Sequence, residues 1–295
     1  MIEATSDADI FQAANRSLHP ISDQEFALFQ ALVYRETGVY LSEAKKALLM
    51  SRLAKRVRGL GLNSFGAYYR HVTSGDDQEL IHMFDCVLTN ETRFFREARH
   101  FEFLEQNVFP EWLADADGRS RRRLIRAWSA ACSSGEEPYS LAMILLDYFP
   151  PTSGWRVEVL ATDLSTKILA QAQSAVWPIE KAAEIPNHYL KRFMLKGKDT
   201  QAGLMKAGPA LRATVHCRRL NLNQASYPGV GQFDLIFCRN VLIYFDAQSK
   251  TQVINRLLKH LLPGGHFFLG QSETLDTSTI NVRCLKPSIY TQRSR

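Results

Sequence analysis

Residues 124–140 read LIRAWSAACSSGEEPYS, an apolar run followed by a turn of small residues. The run Leu124 to Ala131 predicts a buried strand. The next helix is expected to begin near Pro138, because proline suits the first helical position, where its missing N–H would have no partner. Arg156 to Thr162 predicts a second strand that ends at Asp163. Strands that alternate with helices predict an α/β fold, a parallel sheet with helices on both faces.

The same alternation continues towards the C-terminus. Ser165 to Ala175 predicts a helix, and Phe233 to Cys238, apolar except for Asp234, is the type of run expected of a parallel strand buried on both faces. Asp246 is placed to cap an amphipathic helix, after which Pro263-Gly264-Gly265 turns the chain into a strand from His266 to Gly270. These residues predict a doubly wound sheet.

The N-terminal part has helical signals without strands. Residues 1–20 are interpreted as a polar tail, and residues 21–88 as a small all-helical domain. Ser22 followed by Glu25 is a capping box, which marks the start of a helix. Further helices are expected at Ser42 to Arg58, Phe65 to His71 and Gln78 to Leu88.

The α/β domain is expected over residues 89–295, with a linker at 89–123. Residues 186–217 interrupt its alternation, because they are rich in lysine, glycine and polar side chains. Short β-like pieces such as Leu211 to Cys217 lead us to interpret them as a small antiparallel β insertion.

Composition limits the class of protein. Of the 295 residues 45% are hydrophobic and 22% are charged, which is typical of a soluble chain with a core. Apolar runs stay well short of the roughly 20 residues that cross a bilayer, and Met1 to Asp9 carries acids without Lys or Arg. We therefore expect a cytoplasmic protein without membrane insertion, and a monomer.

Two further counts concern metals and partners. The five cysteines are scattered without a CxxC pair, so neither a zinc site nor a disulfide framework is expected. The net charge of +6 is compatible with an acidic partner and too small to indicate nucleic acid. We expect no metal and no nucleic acid.

Ligands of open α/β sheets bind at the carboxyl ends of the strands. The small residues from Ala130 to Pro138 would let the backbone approach a ligand closely, and Asp163 could accept hydrogen bonds from ribose hydroxyls. A lone aspartate there is more often a helix cap. Together these features favour a nucleoside cofactor without choosing between a dinucleotide and S-adenosylmethionine, although the scarcity of phosphate-binding glycines argues against a pyrophosphate.

Three segments, taken together, carry a resemblance. Thr89 to Arg96, Trp128 to Ser140 and Phe237 to Phe245 are similar, in this order, to the signature blocks of the CheR chemotaxis methyltransferases. The resemblance implies a Rossmann-like domain that binds S-adenosylmethionine and yields S-adenosylhomocysteine. It also implies that the substrates are glutamate side chains on the cytoplasmic helices of bacterial chemoreceptors.

The resemblance also implies residue roles. Arg96 and Tyr244 match the catalytic positions. The cofactor contacts implied are Asn90, Thr92, Arg96, Glu136, Asp163, Asn221, Leu222, Arg239 and Asn240. Taken singly, Arg96 could pair with Glu91 or Glu97, and Tyr244 could be a core aromatic. One departure is Gln271, which precedes Ser272-Glu273 where the family pattern has a small residue or histidine.

The implied chemistry needs no general base, because a glutamate with a pKa of about 4.3 is already a carboxylate near neutral pH. The eight histidines form no sequence cluster with the three segments. Two alternatives are a methyltransferase of the same fold that acts on another protein, nucleic acid or small molecule, and a non-catalytic binding module. Intact Arg96, Asp163 and Tyr244 argue against the second.

Two surfaces are candidates for receptor contacts. Lys45, Arg52 and Arg56 fall on one stripe of the second predicted helix, either as a docking face or as an ordinary solvated face. The β insertion, with its loop Gly197 to Gly203, would expose a strand edge. As in some members of the family, that edge could hold a peptide from the receptor C-terminus, or the insertion could be purely structural.

Overall fold

The computed structural model describes residues 18–75, 77–117 and 122–293. The chain divides into two compact units, the first ending at Thr89 and the second beginning at Asn90.

The first unit is helical. Its helices are α1 Asp23–Thr37, α2 Lys46–Gly59, α3 Phe65–Val72 and α4 Asp77–Val87, with a 3-10 turn at Glu43–Lys45. The predicted capping box is confirmed, because Glu25 N donates to Ser22 Oγ at 3.1 Å and Ser22 N donates to Glu25 Oε2 at 2.9 Å. Phe26, Phe29 and Val33 are buried, as their helical spacing predicts.

Two cations of the predicted docking stripe tie this unit together. Arg52 donates to the Val87 carbonyl oxygen and, at 3.0 Å, to Thr89 Oγ1. Arg56 forms a two-bond ion pair with Glu79, whose side chain is 3% exposed. Arg52 and Arg56 therefore connect α2 to α4 and to the residues after it, a structural role that the charge pattern did not reveal.

The second unit contains a seven-stranded sheet. Its strands are β1 Leu124–Ala130, β2 Arg156–Asp163, β6 Val215–Arg219, β7 Phe233–Cys238, β8 Leu261–Leu269, β9 Val282–Lys286 and β10 Ile289–Gln292. They lie side by side in the order β6-β2-β1-β7-β8-β10-β9. The pairs β6-β2, β2-β1, β1-β7 and β7-β8 are parallel, and β10 is antiparallel to both neighbours. The helices are α5 Arg99–Phe103, α6 Phe109–Asp117, α7 Glu136–Tyr148, α8 Thr166–Ser174, α9 Asn187–Phe193, α10 Pro209–Thr214 and α11 Ala247–Leu258.

Each face of the sheet has its own apolar core, because successive side chains of a strand point to opposite faces. Ala127 of β1 belongs to the cluster that also contains Leu141 and Ile144 of α7. Its neighbour Trp128 belongs to a second cluster, which contains Val253 of α11. The doubly wound α/β prediction is confirmed.

The helix after β1 starts earlier than expected. Gly135 is its N-cap and Glu136 its first residue, so Pro138 occupies the third helical position. A proline is tolerated there because N–H groups of the first turn have no partner within the helix. The expectation of proline at the first position was wrong by two residues.

The segment expected to be a linker, 89–123, contains a core helix. α5 runs through a π-helical turn at Leu104–Val108 into α6. Phe101 and Phe109 are buried in the same cluster as α7. The interpretation of residues 89–123 as a linker is therefore wrong for α5 and α6, which pack into the sheet core.

The β insertion lies earlier than predicted. Its strands β3 Val176–Pro178, β4 Met194–Lys196 and β5 Leu204–Ala207 form an antiparallel sheet in the order β3-β5-β4. The piece Leu211 to Cys217 is outside it: it comprises the end of α10 and the start of β6, an edge strand of the main sheet. An edge strand tolerates polar side chains, and these made β6 resemble part of the insertion.

Candidate active site

The carboxyl ends of β2, β1 and β7 lie side by side in the sheet. The small-residue turn after β1 follows an unusual path, because Ala131, Ser133 and Gly135 all have positive φ, at 65°, 50° and 98°. A Cβ added at Gly135 would come within 3.0 Å of Ala172 on α8. Glycine at this position therefore lets the turn pack closely against the neighbouring helix.

Asp163 joins this turn to the end of β2. Its side-chain Oδ2 accepts from Ser133 N at 2.9 Å, and Oδ1 accepts from Ser165 N at 3.0 Å. Ser133 Oγ in turn donates to the Asn90 carbonyl oxygen at 2.8 Å. The structure thus brings two of the predicted cofactor residues, Asn90 and Asp163, to one place.

Asn221 and Leu222 follow β6 at the same end of the sheet. Leu220 N donates to the Asp163 carbonyl oxygen at 3.0 Å, which keeps the chain beside β2. Asn221 Oδ1 accepts from Asn223 N at 2.9 Å, a local turn contact, and Leu222 is buried. Their role towards a cofactor stays a prediction.

Glu136 is fully buried and has two side-chain partners. Ser134 Oγ donates to its Oε2 at 2.6 Å, and Lys181 Nζ pairs with its Oε1. Lys181 also donates to the Thr92 carbonyl oxygen at 3.4 Å, so Glu136 and Thr92 share a cation. Sequence reasoning missed Lys181, which lies in a 3-10 turn of the insertion, at Ile179–Glu184, far from the three signature segments.

The next acid, Glu137, was also missed, although it lies within a signature segment. Its Oε1 accepts from Ser129 Oγ at 2.7 Å, and its Oε2 lies 3.3 Å from Arg239 Nε. Burial raises the pKa of the Glu137 carboxyl, and the Arg239 cation opposes that rise. Glu137 thereby links the end of β1 to the end of β7.

The Arg239 side chain is 1% exposed and points into the protein. It donates to the Arg96 carbonyl oxygen, and its Nε lies 3.7 Å from Glu97 Oε2. Glu97 Oε1 accepts from Gln271 N at 3.1 Å and from Asn240 Nδ2 at 3.4 Å. The guanidinium of Arg239 therefore holds the backbone of the first signature segment, an arrangement that its pattern alone did not predict.

The Arg96 side chain makes a local contact. Its Nη1 donates to the Glu91 carbonyl oxygen at 3.2 Å, a backbone partner rather than the carboxylate that the simpler alternative would use. The flanking residues Phe95 and Glu97 have positive φ, so the segment bends sharply on both sides of Arg96. Its catalytic role stays a prediction.

His100 belongs to this buried group. Its Nε2 lies 2.8 Å from Ser288 Oγ, and its Nδ1 lies 3.5 Å from Glu97 Oε2. Burial, with the nearby Arg239 cation, lowers the pKa of His100 to about 4. The lack of a histidine cluster in the sequence therefore does not describe the fold, in which His100 lies beside Glu97 and the Arg239 cation.

Tyr244 ends the 3-10 turn Leu242–Tyr244 that follows β7. The backbone of this segment is held by Glu273, which accepts from Asn240 N at 2.8 Å and from Ile243 N at 3.2 Å. Tyr244 itself is partly exposed, and so differs from the buried core aromatic of the simpler alternative.

Comparison with known proteins gives the family. Residues 24–88 match "CheR methyltransferase, all-alpha domain", and residues 90–291 match "CheR methyltransferase, SAM binding domain". The chain belongs to the CheR methyltransferase family. Chemotaxis protein methyltransferase 2 of Pseudomonas aeruginosa is 36% identical over 282 residues, which is 94% of this chain and 95% of that protein.

Other relatives of the CheR family agree. The chemotaxis protein methyltransferase of Borreliella burgdorferi is 34% identical over 272 residues, 92% of this chain and 94% of that protein. That of Escherichia coli is 36% identical over 257 residues, 86% of this chain and 85% of that protein. The resemblance seen in the three signature segments therefore extends over most of the chain.

The residues of this CheR chain fit S-adenosylmethionine. Asp163 Oδ2 accepts from Ser133 N and Oδ1 accepts from Ser165 N, which fixes a carboxylate at the end of β2, and a carboxylate is the type of acceptor that ribose hydroxyls need. The turn from Ala131 to Gly135 presents small residues beside that carboxylate. A nucleoside with neighbouring hydroxyls matches this set of acceptors and open backbone.

The described residues contain neither a metal-binding cluster nor a membrane-spanning helix. Residues 18–75, 77–117 and 122–293 contain no group of three or more His, Cys, Asp and Glu that could hold a metal ion. Within the same ranges, no helix combines the length and apolar character needed to span a bilayer. The expected absence of a metal cofactor stays a prediction.

Proposed function

We propose that this CheR chain transfers a methyl group from S-adenosylmethionine to glutamate side chains on the cytoplasmic helices of chemoreceptors, forming glutamyl methyl esters and S-adenosylhomocysteine. The observation that carries the proposal is the linkage of all three signature segments at one end of the sheet. Ser133 connects Asn90 to Asp163, and Arg239 connects Arg96 to Glu137. The relatives' shared name, chemotaxis protein methyltransferase, supports the substrate class.

The chain's own contribution to the chemistry is binding, positioning and exclusion of water. When bound, S-adenosylmethionine supplies a methyl group on a positively charged sulfur. A glutamate carboxylate is already the nucleophile at neutral pH, so no side chain has to remove a proton. The negative carboxylate and the positively charged sulfur both become neutral in the reaction, so a site with little water favours it. Asp163 would hold the ribose, and Arg96 and Tyr244 would position the methionine end and the incoming carboxylate.

The test is incubation of the protein with labelled S-adenosylmethionine and receptor-rich membranes. The expected result is label in receptor bands that alkali releases as methanol, the behaviour of a carboxyl methyl ester. Label that resists alkali, or that enters nucleic acid or a small molecule, would overturn the glutamate assignment. Absence of S-adenosylmethionine binding would overturn the catalytic assignment as well.

The β insertion is proposed as a tether for the receptor C-terminus. Its edge strand β4 carries Leu195, a residue that is 52% exposed, and an edge strand can pair with an added peptide. A Cβ on Gly197 would lie 2.0 Å from the Gln201 carbonyl oxygen, so glycine lets the following loop fold back closely. Such a tether would raise the local concentration of methylation sites.

This tether is tested by titrating the protein with receptor C-terminal peptides that end in an aromatic residue. Binding to the intact protein and its loss after deletion of residues 197–203 is the expected result. Leu195→Ser, which keeps the loop and reduces the exposed apolar edge, should also weaken peptide binding. Failure of every peptide from co-encoded receptors to bind would leave the insertion with a structural role only. The cytoplasmic location and the monomeric state remain part of the same proposal.

A further inference from the structure

The carboxylate of Glu273 accepts hydrogen bonds from three backbone N–H groups. Its Oε2 accepts from Gly270 N at 2.7 Å and from Asn240 N at 2.8 Å, and its Oε1 accepts from Ile243 N at 3.2 Å. The residue is 1% exposed. A buried ionised carboxylate gains much of its compensation from such charge-assisted hydrogen bonds, so this arrangement fixes the backbone that surrounds it.

Two of these N–H groups lie in the segment that leads from β7 to Tyr244. Asn240 has a φ of +58°, a left-handed conformation that asparagine adopts more readily than most residues and that the hydrogen bond from Asn240 N to Glu273 holds here. Space beside it is limited, because a Cβ added at Gly270 would lie 2.6 Å from Asn240 Nδ2 and 2.9 Å from Glu273 Oε2. The conformation of this segment thus depends on Glu273 and on the absence of a side chain at Gly270.

We propose that Glu273 is a positioning residue, which acts by setting where Asn240 and Tyr244 stand. It binds Asn240 N directly, and through Ile243 N it holds the turn that ends at Tyr244. Glu273 acts through these residues and is not itself placed on the cofactor or the acceptor. The Tyr244 part of this inference rests on the proposed function, and the Asn240 part requires only binding of S-adenosylmethionine.

The variant Glu273→Gln tests this with little change of shape. An amide has one acceptor oxygen, and its NH2 group would face at least one backbone N–H, so at least one of the three hydrogen bonds is lost. We expect affinity for S-adenosylmethionine, measured by calorimetry, to fall about tenfold, which is about 1.4 kcal/mol. Turnover at saturating cofactor should fall by a similar factor.

Loss of stability alone could lower both values, so the decisive readout is coupling between variants. In an Asn240→Ala background, Glu273→Gln should change cofactor affinity by less than about twofold, because the group it positions is gone. In a Tyr244→Phe background its effect on turnover should shrink in the same way. The positioning role would be overturned if Glu273→Gln lowered cofactor affinity in the Asn240→Ala background, and turnover in the Tyr244→Phe background, as much as it does in the wild type.

The matched control is Asp234→Asn. Asp234 is also buried, and its Oδ2 accepts a backbone N–H, that of Arg126 at 2.8 Å, but at the opposite end of β7. It should lower the unfolding temperature and leave affinity and turnover unchanged. Effects of equal size from Asp234→Asn and Glu273→Gln would overturn the inference, since a general loss of stability would then explain both.

A second variant covers the case in which Glu273→Gln does not fold. Gly270→Ala introduces a Cβ that displaces the Asn240 amide and the Glu273 carboxylate while leaving the charge in place. It should reproduce the loss of cofactor affinity, and unchanged affinity would count against the inference. A wild-type protein that binds S-adenosylmethionine but does not methylate receptors would overturn the proposed substrate alone, because the affinity measurements do not involve the receptor.

Discussion

His100 couples the stability of the protein to pH. Its pKa is lowered to about 4 by burial and by Arg239, whereas an unfolded histidine titrates near 6.5. The unfolded chain therefore binds a proton first as the pH falls, so the contribution of His100 is complete above pH 6.5 and is lost towards pH 4. The loss amounts to at most about 3 kcal/mol.

We predict that His100→Phe flattens this dependence. Urea unfolding at several pH values between 4 and 7 measures the free energy of unfolding, and the wild type should lose stability on acidification more steeply than the variant. Ser288→Ala is the control, because it removes the hydrogen bond at Nε2 but keeps the imidazole. The same slope in wild type and His100→Phe would show that other groups cause the acid sensitivity.

Asp163 has a double role, so its substitution should show two effects. Asp163→Ala removes the proposed ribose acceptor, and calorimetry should therefore detect a loss of S-adenosylmethionine affinity of at least tenfold. It also leaves the N–H groups of Ser133 and Ser165 without this acceptor, which costs about 1–3 kcal/mol for each group that stays buried. Unchanged affinity in folded Asp163→Ala would remove Asp163 from the cofactor site.

At the scale of elements, the ion pair between Arg56 and Glu79 joins α2 to α4. Arg56→Met should lower the free energy of unfolding of the helical unit by about 1–3 kcal/mol, because Glu79 keeps a buried charge and loses its two-bond partner. Tyr68 remains as a donor to Glu79 at 2.8 Å, which limits the loss. The effect is measured by thermal unfolding, with hydrogen exchange of the backbone amides of residues 46–87 as the probe.

The control for this prediction is Arg58→Met, an exposed cation near the end of the same helix. Equal stability losses for both variants would contradict the special role of Arg56. The comparison also affects docking experiments. Reversal of Lys45, Arg52 and Arg56 together would break contacts that stabilise the helical unit as well as remove surface charge. The exposed Lys55 and Arg58 are therefore cleaner choices for testing a basic docking face.

The elements that sequence predicted well were those with one strong local signal. β7 was predicted with its observed bounds because all its residues except Asp234 are apolar, and α1 because Ser22 and Glu25 form a capping box. β6 was misassigned because an edge strand has no such pattern. The insertion boundary was missed for a related reason: β3 is three residues long, and one of them, Pro178, normally argues against a strand.

The site followed the same rule. Residues of the contiguous signature segments could be named from the sequence, and so could Asp163, because it ends a predicted strand. The roles of Lys181, His100 and Glu273 could not be predicted in this way, because they depend on partners that are distant in sequence. Lys181 is 45 residues from Glu136, and Glu273 is 33 residues from Asn240. Such contacts depend on how the sheet orders its strands, which local patterns do not specify.

At the scale of the whole α/β unit, strand order differs from chain order at both sides of the sheet. β1 lies near the middle, between β2 and β7, and β6 reaches its place beside β2 only after the insertion and α10. Many of the pairings are therefore distant in sequence, and closing such long loops slows folding. We expect β2, β1 and β7 to pair early in folding and the other strands of the sheet to add to them.

β9 and β10 extend this point to aggregation. β10 follows β9 in the chain yet lies between β9 and β8, and it is antiparallel to both. Until β10 has paired with β8, β9 has no neighbour in the sheet and β8 presents an open edge. An open edge accepts strands from other chains. A chain truncated after Lys286 would therefore be sensitive to aggregation, and a chaperone that covers β8 while β10 is unpaired would raise the yield of folded protein.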